Sequence, residues 1–156
     1  MGVFIDKDLN WGAHVQHITK KVLKACGAIA KLRHCVDVDT LKSVYYSLVH
    51  SYIRYGLVTW GSASSTILSP LYTALHKVLR IMTFAPFGNI DLNPIFDFLQ
   101  VLDLSKMISF ELGKFLYKKH NALIPAHCLG DYFEADPFAN NHSYGLRSRT
   151  ANAPTC

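Results

Sequence analysis

The chain has 156 residues, enough for one domain or part of a larger one, and half of them are apolar. Only 17% are charged, against about 25% in ordinary soluble domains, so part of the surface is expected to pack against something outside the chain. A net charge of +5 favours an acidic partner, most commonly nucleic acid, and the scattered charges leave no stretch of about 18 residues for a transmembrane helix.

No signal peptide is expected, and no membrane association. Cys26, Cys35, Cys128 and Cys156 form no CxxC pair, so reduced thiols are expected. Gly2 to Asp6 (GVFID) reads as one short N-terminal strand, although nothing later in the chain offers it a partner. Lys7 to Asn10 reads as a polar turn with Asn10 at the N-cap of a helix.

That first helix is predicted from Trp11 to about Cys35. Its apolar positions are Trp11, Val15, Ile18, Val22, Ala25, Ile29 and Leu32, a seam stepping 4-3-4-3-4-3. Lys20, Lys24 and Lys31 cluster opposite the seam, with His17 and Lys21 at the flanks. No acidic residue occurs between Asp8 and Asp37. Two readings of this face stand side by side: a solvated outer face of a bundle helix, or a surface for nucleic-acid phosphates. The missing acids favour the second.

Leu41 to Gly61 (LKSVYYSLVHSYIRYGLVTWG) is the densest apolar segment and is placed at the centre of the core. Leu41, Val44, Tyr45, Leu48, Val49, Tyr52 and Tyr55 form its expected face, and Lys42, Tyr46, His50 and Arg54 fall off it. Asp37 and Asp39 are placed to cap its first turn, and Gly56 to end it at positive φ, before an aromatic turn through Trp60. After a Ser-rich loop over Ser62–Ser65, Ser69-Pro70 reads as a helix start, serine at the N-cap and proline at N1. Leu71, Leu75, Val78, Leu79 and Met82 form that helix's apolar face, and Ala85 to Asn89 should end it. A short helix over Asn93–Gln100 carries Ile95, Phe96 and Leu99. Asp103 should cap a last helix to about Asn121, with a buried stripe of Leu104, Met107, Ile108, Glu111 or Leu112, Phe115 and Leu116. Past Pro125 the sequence loses its period, so an irregular C-terminal tail is expected. The fold class is therefore mainly α, a helical bundle with one short N-terminal strand.

The chain holds no Gly-rich phosphate loop, HExxH, GxSxG or paired-cysteine zinc pattern, and no cofactor is expected. His14 and His17 share a helix face, but no nearby Cys, Asp or Glu completes a metal set. His120, His127 and Cys128 have irregular spacing. No catalytic or metal-binding residue is assigned.

The order of motifs resembles the segment that follows the catalytic palm in reverse transcriptases of non-LTR (LINE-type, jockey-like) retrotransposons. The matching residues are Gly2 to Asp6, Leu9-Asn10-Trp11 with His14, Leu41 to Leu48, Tyr55-Gly56 and Trp60-Gly61. Val78 to Met82 is similar to the family's "RALRLIT" helix, Phe98 to Leu104 to its "LGLLPL" turn, Tyr117-Lys118 to its late helix, and His142 to Arg149 to its "HxYxTRS" ending. The similarity is collinear over nearly the whole chain. It implies a remnant palm strand and turn over 1–9, a thumb-like bundle over 10–125 and an irregular tail over 126–156.

It also implies a fragment of an RNA-directed DNA polymerase that lacks the palm and its aromatic-x-Asp-Asp motif, since no Asp-Asp pair is present. Such a chain should not polymerise. Its partners would be the palm and the backbone of an RNA–DNA or DNA duplex, touched through Lys20, Lys24 and Lys31, with Lys21 outlying. Two alternatives remain: a helical protein-interaction module working through Ile18 or Val22 if either is exposed, or a genomic remnant with no selected function.

Overall fold

The computed structural model describes residues 2–86, 91–121 and 123–124. It is mainly helical, and the chain divides into two compact units, Met1–Gly113 and Lys114–Cys156. Helix α1 covers Gly12–Leu32. Helix α2 covers Val38–Tyr45, then a π-helical turn over Tyr46–His50 and a last α turn over Ser51–Arg54. Helix α3 is the single turn Leu57–Trp60; α4 is Ser65–Thr83, α5 Asn93–Leu99 and α6 Leu104–His120. The expected helix end at Phe87 to Asn89 and the tail from Pro125 onward, with His127, Cys128, Cys156 and His142 to Arg149, lie outside the described residues.

The seam of α1 is spent on the core. Val15, Ile18, Val22, Ala25 and Ile29 are all buried, and α1 packs chiefly on α4, whose buried face is Leu68, Leu71, Ala74, Leu75, Val78, Leu79 and Met82. With Ile18 and Val22 inside, neither is exposed to a protein partner. Fully burying aliphatic side chains of this size stabilises by about 1.5–3 kcal/mol each before the entropy of ordering is subtracted, so this seam is the main source of cohesion.

Helix α2 lies at the centre, as its composition demands, but its buried residues differ from the expected set. Leu41, Tyr45, Val49 and Ile53 are the residues inside, while Tyr55 is 44% exposed. A spacing of four over-rotates in an α-helix of about 3.6 residues per turn. The wider π turn, closed by the Ser51 N–H to the Tyr46 carbonyl, takes up part of that rotation and keeps Ile53 facing the core. Asp37 caps α2 as expected: its carboxylate accepts from the Thr40 N–H at 3.3 Å and the Thr40 hydroxyl at 2.6 Å. Those bonds hold its pKa below the usual carboxylate value. The helix ends at Arg54, Tyr55 is already extended, and Gly56 follows at φ 65° as the N-cap of α3.

Four further expectations need correction. Residues 2–6 form no strand, and none occurs among the described residues; the Phe4 N–H is satisfied instead by His14 Nδ1 at 3.2 Å. Asn10 is not the N-cap of α1. Trp11 takes that position in the left-handed region at φ 63°, and the Asn10 N–H donates to Asp6 Oδ1 at 2.8 Å. Helix α4 begins at Ser65 rather than after Ser69, leaving Pro70 inside it. Burial of Leu68 and partial burial of Ile67 against the core offset the backbone hydrogen bond that proline removes. In α6, Leu104 and Met107 are buried and Ile108 packs at the core's edge, but Leu112 is 44% exposed and Phe115 and Leu116 are only partly covered. The predicted stripe fades after its first two turns.

Candidate nucleic-acid interface

The lysines named from the sequence separate into distinct roles. Lys20, Lys24 and Lys31 are exposed along α1. Lys20 also borders a groove of about 360 Å³ lined by Val15, Gln16, Thr19, Ile67 and Pro70, between α1 and the start of α4. Lys21 turns to the other flank: its Nζ stands 4.7 Å over the ring of Tyr52, and the side chain is half-buried. A cation held on an aromatic face is partly spent on the fold. The first three therefore form the open basic row, and Lys21 stands apart from it.

The N-terminal end of α1 is sealed by the residues that carried much of the family resemblance. His14 is 2% exposed, meets Trp60 edge-on with ring centroids 5.6 Å apart, and accepts the Phe4 N–H at Nδ1. Burial first, and His17 next, lower its pKa. The His17 ring lies tilted against Phe4 with centroids 4.7 Å apart, and Trp60 Nε1 donates to the Tyr55 carbonyl at 3.0 Å. Glycine is required at two positions here. A Cβ on Gly56 would meet Val3 at 3.0 Å, and one on Gly61 would lie 2.5 Å from the Leu57 carbonyl and 3.2 Å from Ile108. The Tyr-Gly and Trp-Gly pairs thus work as packing devices. No group of three or more metal-ligating side chains occurs among the described residues.

The other end of α1 was passed over in the sequence. There Arg33 Nη1 donates to the Ile81 carbonyl at 3.1 Å, Arg33 Nε donates to His34 Nε2 at 3.2 Å, and the guanidinium lies 4.4 Å over the ring of Phe84. His34 meets the same ring edge-on at 5.3 Å. The one available signal was a bulky aromatic directly after a helix, where glycine or asparagine is usual. Its pairing with Arg33 spans about fifty positions and leaves no local trace.

The architecture is that of a helical bundle with one basic helix face. Comparison with known protein families, with curated proteins and with solved structures gives no match to this chain. No helix among the described residues is long and apolar enough to cross a membrane.

Proposed function

We propose that this chain is a thumb-like fragment of a non-LTR retrotransposon reverse transcriptase, without the catalytic palm, that holds a nucleic-acid duplex by its backbone. The observation that carries the reading is the open row of Lys20, Lys24 and Lys31, on a helix with no acidic residue along its length. Lysines so placed neutralise phosphates and release condensed counterions, which gives affinity without base specificity. The collinear motifs supply the family. The chain by itself performs no catalysis in this reading.

The test is binding of the purified chain to an RNA–DNA hybrid over a salt series. Log affinity should fall linearly with log salt, and Lys20→Ala plus Lys24→Ala should flatten the slope by about 0.9 per lost contact on B-form DNA and by a similar amount on a hybrid. Salt-insensitive binding, or none by a folded sample, would sink the reading.

A second reading, a protein-interaction module, is supported by exposed apolar residues other than those first expected. Phe98 is 67% exposed and Phe110 55% exposed, both large apolar groups outside the core. Association through these would be insensitive to salt and lost on Phe98→Ser.

A further inference from the structure

The C-terminal end of α1 carries a feature that backbone binding does not use. Phe84 caps α4 at φ 55°, a left-handed conformation that is unusual and strained for a bulky side chain. It buries little in return, since 56% of the residue is exposed. One face of its ring lies under the Arg33 guanidinium, and the His34 ring stands nearly perpendicular to it with centroids 5.3 Å apart. Arg33 is itself anchored, through the Ile81 carbonyl and His34, with donors of the planar guanidinium left over for an oxygen ligand. Lys31, the last lysine of the open row, precedes His34 by one helical turn. An exposed aromatic ring, backed by a fixed arginine at the C-terminal end of a basic helix, has the make-up of a surface on which an unpaired base stacks.

We infer that Phe84, backed by Arg33 and flanked by His34, is a stacking platform for an unpaired nucleobase, at the C-terminal end of the helix that carries Lys20, Lys24 and Lys31. The inference rests on the backbone-binding reading above for the duplex, and adds a site with a different ligand chemistry. The base stacks on the ring, and Arg33 meets the phosphate that follows it. Stacking is tolerant of base identity because every base has a π face, so the platform selects single-strandedness and not sequence.

The experiment compares a blunt RNA–DNA hybrid with the same hybrid bearing a short overhang, of RNA in one arm and DNA in the other, with 2-aminopurine in the overhang. The full chain should bind an overhang about tenfold more tightly than the blunt form, with quenching of the 2-aminopurine. Phe84→Asn, whose side chain tolerates the left-handed backbone, should abolish both the preference and the quenching while leaving blunt-end affinity unchanged. Phe84→Tyr should retain them. Equal affinity for blunt and overhanging hybrids, or a preference that survives Phe84→Asn, overturns the platform while leaving the backbone reading intact. Overhang binding with quenching but no salt-dependent affinity for the blunt duplex supports the platform and overturns the backbone reading. Binding of neither by a folded chain overturns both.

Discussion

The two ends of α1 are built from the same kinds of residue and do opposite things. At the N-terminal end two histidines and two aromatics meet: His14 and Trp60 are fully buried, His17 is half-buried, and Phe4, 51% exposed, lies outside them. At the C-terminal end a histidine, an arginine and an aromatic, His34, Arg33 and Phe84, meet at similar distances, but there only Arg33 is half-buried and the two rings are exposed. Ring geometry alone therefore does not separate a packing cluster from a recognition surface. Burial does. The buried imidazole of His14 accepts the Phe4 N–H and holds the chain entry in place, whereas an open cluster keeps donors and a ring face for a ligand.

If that distinction is right, the two ends should respond very differently to substitution. Trp60→Ala should cost most, about 3–5 kcal/mol in denaturant unfolding, because a large, fully buried ring leaves a cavity beside His14. Gly61→Ala should follow at about 1–3 kcal/mol, since the added methyl group meets the Leu57 carbonyl and Ile108. The third effect is a pH dependence. The folded state lowers the pKa of His14 below its ordinary value of 6.5, and burial with Arg54 nearby lowers that of His50. The unfolded chain then binds more protons, so stability is complete above pH 6.5 and falls as pH drops below it. His14→Gln, which keeps an acceptor for the Phe4 N–H, should shallow that acid slope and leave the His50 part; an unchanged slope would mean that His14 is not sealed. The smallest change is expected at the open end. Arg33→Ala should cost about 1–2 kcal/mol in stability, for the cation–π contact and the hydrogen bond to the Ile81 carbonyl together. An Arg33→Ala penalty as large as that of Trp60→Ala would erase the difference between the two ends.

What the sequence by itself determined lies where one local rule had no competitor. The seam of α1 reads correctly because an amphipathic helix with one apolar stripe has one way to bury it, and Val15, Ile18, Val22, Ala25 and Ile29 are all inside. The Asp37 cap and the positive φ of Gly56 read correctly because both belong to a few neighbouring residues. The basic row was legible as well, since helical spacing alone places Lys20, Lys24 and Lys31 on one side. What only the tertiary structure decided depends on partners far along the chain. The π turn selects Ile53 over Tyr55 because the core, and not the periodicity, fixes which residue is enclosed. Pro70 is tolerated inside α4 because Leu68 and Ile67 gain burial that its lost hydrogen bond does not outweigh. Residues 2–6 remain without a ladder because His14 takes the Phe4 N–H. Arg33 and Phe84, apart in sequence and polar or exposed when taken singly, become one cluster only when the ends of α1 and α4 are brought together by the packing of their apolar faces.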